Sequence, residues 1–188
     1  MARIRPLVLA DAARLSELHT ADREVTAPYD PVREDRWFTL PGQRARLEEL
    51  AVRVEAGLVR PFAILDDDGE LAGTIFVNNI VRGALQSAAL GYWVSSTRTG
   101  RGLATEAVAA AVGFAFDSLG LHRVEASTLV DNHASQRVLA RNRFIRYGLA
   151  PRYLLIGGAW RDHLLFQRTV EDQAPASSSA GSTPRATS

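Results

Sequence analysis

Blocks of apolar residues along the chain alternate with short polar segments, and the block lengths indicate both strands and helices. Five blocks are short and rich in β-branched and aromatic residues, which predicts strands at 3–9, 61–65, 71–77, 90–94 and 123–130. Two longer extended blocks, 144–156 and 160–169, flank a Gly-Gly pair that is typical of a two-residue hairpin turn. The chain is therefore predicted to close with a β-hairpin.

Helical spacing of apolar residues predicts the remaining elements. Asp11 is expected to be the N-cap of a helix that runs to about residue 19. A second helix is predicted at 43–56, and its apolar face consists of Leu47, Leu50, Ala51 and Val54. The Ala-rich run at 103–119 predicts a long buried helix, and a short helix is expected to follow the strand at 123–130 and to end near residue 141.

Two segments lack either pattern. Residues 21–41 contain three prolines and are expected to be irregular, and a loop of that length in a compact domain is often functional. Residues 171–188 are rich in Ser, Ala and Pro, so we expect a disordered tail there, because they could bury no core. The order of elements before the tail predicts one mixed α/β (α+β) domain over residues 1–170.

Composition changes this picture mainly by exclusion. The 188 residues carry a formal net charge of +1, so no strong field favours nucleic acid as a partner. The sequence has no cysteine, which excludes a disulfide framework, a Cys-rich metal site and a cysteine nucleophile. No apolar run reaches membrane length, so no membrane partner is expected. The acidic segment 66–69 lacks the ligand spacing of an EF-hand, so it is interpreted as a solvated hairpin turn, and no metal is expected.

The stretch 90–119 carries the clearest chemical signal. It changes from strand to loop to helix, and the loop contains Gly100 and Gly102 beside Arg98 and Arg101. Such a loop leaves unpaired backbone N–H groups at a helix N-terminus, an arrangement that suits a phosphate. It has neither the Gly-Lys-Ser/Thr of a Walker A loop nor the third glycine of a Rossmann fingerprint. The alternative is a tight turn without a ligand.

The window 97–102, Thr-Arg-Thr-Gly-Arg-Gly, resembles the acetyl-CoA loop of the GNAT N-acetyltransferases, Gln/Arg-x-x-Gly-x-Gly/Ala, with Thr97 at its first position. The resemblance covers about residues 3–169. It implies the GNAT fold: a mixed central sheet with splayed central strands, flanking helices and a C-terminal β-hairpin. It also implies acetyl-CoA as cosubstrate. The residues then expected to bind it are Trp93, Val94, Arg98, Thr99, Gly100, Arg101, Gly102, Leu103, Ala104 and Asn132.

A second motif, Asn132-x-x-Ser135 followed by Asn-Arg-Phe at 142–144, resembles the family's Asn-x-x-Ser and Gly-Phe pair. The resemblance implies that Asn132 hydrogen-bonds the cofactor arm and that Ser135 lies near its sulfur. From the residues alone, Asn132 is also suited to cap a helix, and Ser135 could be an ordinary hydroxyl of its first turn. We expect Ser135 to assist the leaving thiolate, and a backbone N–H of Trp93 or Val94 to bind the carbonyl oxygen.

The general base is left open. Arg152 stands where RimL-like proteins can carry a glutamate before the tyrosine, so Tyr153 itself is a catalytic candidate. Glu106 and Glu125 are alternatives, although ordinary helix and strand charges are the simpler interpretation. The four histidines are expected to be surface or hydrogen-bond-satisfied residues. The sequence contains neither a Gly-x-Ser-x-Gly elbow nor a His-Glu-x-x-His pair, so a hydrolase finds no support.

Segments 79–94 and 152–162 are similar to the RimJ/RimL-like branch of the family, which acetylates N-terminal amines, with ribosomal proteins as known substrates. The resemblance implies direct transfer to a protein or peptide N-terminal amine, a ribosomal protein N-terminus being one candidate, in a cytoplasmic monomer or homodimer. Two alternatives remain: an acetyltransferase for a small amine such as an antibiotic or polyamine, and a non-catalytic module that binds acyl-CoA.

The acceptor is expected to approach the face opposite the cofactor. Three segments are placed to line that face, at 21–41, 79–87 and 153–160. The substrate-binding candidates within them are Tyr29, Asn79 and Tyr153, with the rings of Trp37, Phe38 and Trp160 beside them. Aromatic side chains suit a groove that grips a peptide with little loss of conformational entropy. The alternative for these rings, and especially for Trp37 and Phe38, is a core beneath a long loop.

Overall fold

A computed structural model of the chain describes residues 4–173. Residues 174–188, most of the predicted tail, lie outside the described residues. Val170–Gln173 still form a short 3₁₀ helix, at whose start the Thr169 N–H and hydroxyl donate to the Asp172 carboxylate, at 2.7 and 3.0 Å. The regular structure therefore runs three residues past the predicted boundary at residue 170.

Seven strands form one mixed sheet in the order β1-β2-β3-β4-β5-β7-β6. They are β1 Ile4–Pro6, β2 Arg60–Leu65, β3 Leu71–Val81, β4 Ser87–Val94, β5 Arg123–Leu129, β6 Ile145–Ile156 and β7 Ala159–Thr169. Neighbouring strands are antiparallel except β4 and β5, which run parallel. The predicted mixed sheet and its closing β6–β7 hairpin are confirmed. The first strand ends at Pro6 rather than at residue 9, because Leu9–Asp11 turn into a 3₁₀ helix.

The central strands β4 and β5 separate after a short paired stretch. Ser87–Leu90 of β4 pair with Arg123–Ala126 of β5, and beyond Leu90 the register between these strands ends. The rest of β4, Gly91–Val94, keeps only its antiparallel neighbour β3. The predicted splay is confirmed, and it opens a gap at the end of β4 that leads into the glycine loop.

Five α-helices flank the sheet: α1 Ala12–Ala21, α2 Arg23–Thr26, α3 Leu40–Glu55, α4 Leu103–Gly113 and α5 His133–Arg141. The predicted helix at 103–119 is present, but its last turn, Phe114–Ser118, widens into a π-helix. The segment expected to be irregular contains α2 and a 3₁₀ helix at Asp35–Phe38. Asp11 does not cap α1 with its side chain, because that carboxylate accepts from the Val8 N–H and from Arg5.

The helices bury two clusters of apolar side chains. Val108, Ala111 and Val112 of α4 belong to a core that includes Ile75 and Val124 of the sheet. A second core joins α1 and α3 to the sheet through Leu15, Leu18, Leu47, Leu50, Ala63 and Leu71. Ala51, predicted on the buried face of α3, is exposed, because it lies at the edge of the apolar stripe, one residue beyond Leu50.

Candidate active site

The glycine loop follows the free end of β4 and leads directly into α4. A 3₁₀ turn at Ser96–Arg98 is followed by Gly100 and Gly102, whose φ angles are 77° and 82°. Both angles lie in the left-handed region that favours glycine. Gly102 is the N-cap residue of α4 and, as a glycine, offers no side-chain cap to that helix. The first backbone N–H groups of α4, which have no acceptor within the helix, can therefore be offered to a ligand.

The surroundings of the two glycines fit a phosphate. A Cβ added at Gly100 would meet nothing within 4 Å, and one added at Gly102 would meet only the Glu106 carboxylate, at 3.9 Å. The loop thus presents bare backbone to open space at the positive end of a helix dipole. Among the other expected loop contacts, Arg101 is exposed, whereas Leu103 is buried and can offer only its backbone.

Two buried carboxylates hold this loop in place. Asp22, at the end of α1, accepts from the Ser96 N–H at 2.9 Å and from the Ser96 hydroxyl at 2.5 Å. Asp66, in the β2–β3 turn, pairs with the Arg98 guanidinium at 3.0 Å. The interpretation of the acidic turn as solvated is wrong for Asp66, which is 4% exposed and also accepts from two backbone N–H groups of its own turn. Arg98 therefore supports the loop through its ion pair.

The register of β3 and β4 decides which backbone groups face the gap. Ser95 donates its N–H to Ala72 of β3, and the strand alternates from there, so the N–H of Trp93 also faces β3. The N–H groups of Tyr92 and Val94 face the other side, towards β5. Of the two donors expected for the carbonyl oxygen, the structure brings Val94 to the gap and turns Trp93 away from it.

A hydrogen-bonded cluster lies across the gap from the free end of β4. Asn132 caps α5 by accepting the Ser135 N–H at 3.0 Å, as its helix-capping interpretation predicts. The Ser135 hydroxyl lies 2.7 Å from the Tyr92 hydroxyl. On the β5 side of the gap, the buried Thr128 hydroxyl has no hydrogen-bond partner in the described part of the chain. This orphaned donor, together with the bare glycine loop, fits a ligand that runs from the loop into the gap.

The sequence prediction did not include Tyr92. Its ring packs against the main core, and burial raises the pKa of the Tyr92 phenol to about 12. Tyr92 is therefore a neutral hydroxyl throughout the physiological pH range. Strand alternation could have placed the Tyr92 side chain, because Leu90, Tyr92 and Val94 share one face of β4. Its contact with Ser135 could not be predicted in this way, because the two residues are 43 positions apart.

A cleft of about 410 Å³ lies between the 19–38 segment and the tip of the β6–β7 hairpin. The Gly157 N–H donates to the Asp30 carbonyl oxygen at 3.0 Å and joins the two segments. The cleft is lined by His19, Arg23, Asp30, Trp37, Phe38, Gly157 and Arg161, among others. Two of the three segments expected on the acceptor face are thus brought together.

The third segment lies elsewhere. Asn79 sits at a bulge of β3 with φ of 50°, beside Asn78, which pairs with Ala89. Ala89 is five residues, roughly 17 Å, before Val94 along β4.

The aromatic candidates outside the cleft are Tyr29, Trp160 and Tyr153. Tyr29 and Trp160 are 54% and 61% exposed. Tyr153 meets the buried His163 edge-on, with 5.6 Å between the ring centres. These three residues and Asn79 do not line the cleft, whereas Trp37 and Phe38 do.

Cations cover the aromatic walls of the cleft. The Arg33 and Arg46 guanidinium groups lie 3.9 and 4.6 Å from the centre of the Trp37 ring. Arg23 lies 4.4 Å from the centre of the Phe38 ring. Each cation is attracted electrostatically to the face of its ring, so these contacts add to the packing of the cleft walls.

His19 connects this cleft to β4. Its ring stacks on Trp93 at 4.4 Å, and its Nε2 atom is buried with no hydrogen-bond partner among the described residues. The expectation of a surface or satisfied histidine is therefore wrong for His19. Burial, with a further contribution from the Arg46 charge, lowers the pKa of His19 to about 4. The imidazole is neutral at pH 7 and can accept or donate one hydrogen bond.

The depressed pKa of His19 predicts a loss of stability in acid. The unfolded chain binds this proton near pH 6.5 and the folded protein only near pH 4, so the free energy of unfolding falls as the pH falls through this window. The full loss is on the order of 3 kcal/mol. Urea unfolding between pH 4 and pH 7.5 measures it. The control is His19→Phe, which keeps an aromatic ring on Trp93 but cannot titrate; parallel pH profiles for the two proteins would contradict the prediction.

Residues 4–173 gather no group of three His, Asp or Glu side chains that could hold a metal ion. Within the same residues, no helix combines the length and apolar character needed to cross a membrane.

Comparisons with known proteins agree with this geometry. Residues 2–145 match the family model described as acetyltransferase (GNAT) domain. The chain is 37% identical over 161 residues to Probable N-acetyltransferase YjcK of Bacillus subtilis (strain 168), covering 85% of this chain and 89% of that protein. It is 34% identical over 166 residues to [Ribosomal protein uS5]-alanine N-acetyltransferase of Escherichia coli (strain K12), covering 88% and 86%. The structure of Mycobacterium smegmatis RimJ in complex with CoA-disulfide superposes with a TM-score of 0.88 at 37% identity, covering 92% and 83%.

Proposed function

Because the chain belongs to the GNAT acetyltransferase family, whose model matches residues 2–145, we propose that it transfers the acetyl group of acetyl-CoA directly to the α-amino group of a protein or peptide. The chain is an N-acetyltransferase of the RimJ/RimL-like branch. Its two proposed substrates are acetyl-CoA and a protein or peptide with a free α-amino group. The observation that carries it is the splayed β4–β5 gap, which ends in the bare glycine loop.

Acetyl-CoA is proposed to bind with its phosphates at the loop and its thioester arm in the gap. Gly100, Gly102 and the first N–H groups of α4 would hold the phosphates by backbone hydrogen bonds. The Val94 N–H would bind the carbonyl oxygen as negative charge develops on it. Asn132 uses its Oδ1 atom to cap α5, so its amide nitrogen would still be able to donate a hydrogen bond to the arm.

The reaction needs little acid–base assistance from the protein. An α-amino group has a pKa of about 7.7–8.0, so a sizeable fraction is already neutral near pH 7. The nitrogen lone pair forms the new N–C bond, and the C–S bond breaks with its electron pair on sulfur. The proton that the nitrogen loses to solvent balances the proton that the thiol gains. Ser135 is proposed to donate a hydrogen bond to that sulfur.

The acceptor is proposed to enter through the cleft between the 19–38 segment and the β6–β7 hairpin. The cleft borders Trp93, next to Val94, through the His19 stack. Its lining contributes three arginines and a single carboxylate, Asp30, which is already paired with Arg33 at 2.8 Å. Such a lining gives a polyamine no carboxylate that is not already paired, and aromatic walls suit a peptide backbone. Relatives named for acetylating ribosomal proteins support a protein acceptor, which would place the enzyme in the cytoplasm.

A thiol-release assay with acetyl-CoA tests both substrates. We expect turnover with a peptide that begins with free Ala or Ser, because its small N-terminal residue fits the cleft. The matched control is the same peptide with a blocked N-terminus and an internal lysine, which should not react. Turnover only with spermidine would support the small-amine alternative. Saturable acetyl-CoA binding by calorimetry with no turnover would support the non-catalytic one, and no binding at millimolar acetyl-CoA would overturn the whole proposal.

A further inference from the structure

Tyr92 and Ser135 form a direct side-chain link across the splayed gap. Tyr92 stands on the part of β4 that has separated from β5, and Ser135 stands in the first turn of α5. Their hydroxyl oxygens are 2.7 Å apart, and the Tyr92 oxygen is also 3.3 Å from the carbonyl oxygen of Ser135. The Tyr92 ring is held by the main core, and the Ser135 backbone is held by the Asn132 cap. The Tyr92 ring and the Ser135 backbone are therefore both held in place, and the hydroxyl pair joins them.

The two hydroxyl protons can be arranged in two ways. In the first, Ser135 donates to the Tyr92 oxygen and Tyr92 donates to the Ser135 carbonyl, so neither proton is left for a ligand. In the second, Tyr92 donates to the Ser135 hydroxyl oxygen, and the Ser135 proton must then point to a third acceptor. An anionic acceptor beside Ser135 favours the second arrangement, because a hydrogen bond to a charged group is worth more than one to a neutral carbonyl.

We propose that Tyr92 is a positioning residue that aims the Ser135 hydroxyl proton at the sulfur of the leaving thiolate. The inference rests on the proposed function, because it needs a thioester substrate with its sulfur near Ser135. Tyr92 would act only through Ser135 and would touch neither substrate. As the C–S bond breaks and its electron pair moves to sulfur, the Ser135 proton would already point at the growing charge, with no hydroxyl rotation needed at that moment.

Removing the Tyr92 hydroxyl should affect the rate of the chemical step and not the binding of acetyl-CoA. Without the Tyr92 hydroxyl, Ser135 keeps its own hydroxyl but loses the partner that fixes its direction. The acetyl-CoA binding site would be unchanged, because the loop and the Val94 N–H do not involve Tyr92. The loss should therefore appear in kcat and not in the dissociation constant of acetyl-CoA, and it should vanish when Ser135 has no hydroxyl to aim.

A double-mutant cycle tests this role. Tyr92→Phe should lower kcat by roughly 10-fold, the value of one ordinary hydrogen bond, with acetyl-CoA affinity within about 2-fold by calorimetry. In the Ser135→Ala background the same change should have no further effect. The matched control, Tyr147→Phe, removes a hydroxyl that donates to Glu125 at 2.9 Å on β5, and it should leave kcat unchanged.

Equal losses from Tyr92→Phe in both backgrounds, or full kcat in the single variant, would overturn the inference while leaving the proposed function intact. A wild-type protein that acetylates no amine would overturn both.

An NMR measurement gives a readout that does not depend on turnover. It uses tyrosine labelled with ¹³C at Cζ, and the spectrum is simple because the chain has only four tyrosines. Compared with the wild-type protein, the Ser135→Ala variant should show a changed Cζ chemical shift for Tyr92 and an unchanged one for Tyr147. An unmoved Tyr92 signal would show that the hydroxyl pair is not formed and would also refute the role.

Discussion

Replacing Gly102 by valine is expected to abolish acetyl-CoA binding while the protein remains folded. Gly102 has φ of 82°, and the space around it is open, so a valine side chain would stand in front of the first N–H groups of α4. Those groups are the ones proposed to hold a phosphate. Two charge-assisted hydrogen bonds are worth about 1.5–3 kcal/mol each. Their loss should raise the dissociation constant by roughly 10²–10⁴-fold.

Calorimetric titration and thermal unfolding separate the two effects of this change. A branched side chain at positive φ is strained wherever it occurs, by about 1–2 kcal/mol. Gly57, which follows α3 with φ of 74° and nothing within 4 Å of an added Cβ, supplies the matched control. Gly57→Val should lower the melting temperature by a similar amount and leave acetyl-CoA binding intact. Gly102→Val that still binds acetyl-CoA normally would show that the loop is a turn without a phosphate.

Removing the Ser135 hydroxyl is expected to give the second large effect. Ser135→Ala should lower kcat by about 10–10²-fold, the value of one hydrogen bond to a charged group, and leave acetyl-CoA affinity nearly unchanged. The substitution is mild for the fold, since Asn132 caps α5 through the backbone N–H of residue 135, which alanine retains.

Steady-state kinetics with a saturating acceptor peptide measure this effect. The control is Ser16→Ala, which deletes the hydroxyl of another helical serine, one that donates to the Ala13 carbonyl on α1 and has no place in the proposed site. It should have wild-type kcat. If Ser135→Ala also kept full kcat, Ser135 would be an ordinary first-turn residue of α5 and the thiolate would be stabilised by another group.

The parts of the site that the sequence predicted are those encoded locally. The strand, the glycine pair and the Ala-rich helix are contiguous, so their order already specified a loop at a helix N-terminus. Asn132 and Ser135 lie three residues apart, the spacing of a helix cap, and the cap is present. These features depend on short-range backbone geometry, which a sequence pattern expresses directly.

The features that could not be predicted join residues distant in sequence. Asp22 and Ser96 are 74 residues apart, and neither has a neighbour that suggests the contact. The stack of His19 on Trp93 depends on how α1 packs across β4. The aromatic residues expected at the acceptor site could not be separated from the sequence either. Trp37 and Trp160 are the same residue type, yet Trp37 lines the cleft and Trp160 is exposed at the hairpin. Only tertiary packing distinguishes them.

Asp22 has a consequence for how the two substrates interact. Its carboxylate binds Ser96 of the glycine loop, and His19, Arg23 and Thr26, which lie within four residues of it, line the cleft proposed for the acceptor. If acetyl-CoA ordered the loop, this contact would carry the ordering to the cleft, so part of the conformational entropy would be lost only once. Such an energetic coupling would necessarily be reciprocal: acetyl-CoA would strengthen acceptor binding by the same factor by which the acceptor strengthens acetyl-CoA binding. One buried aspartate would then couple the two proposed sites of a small domain.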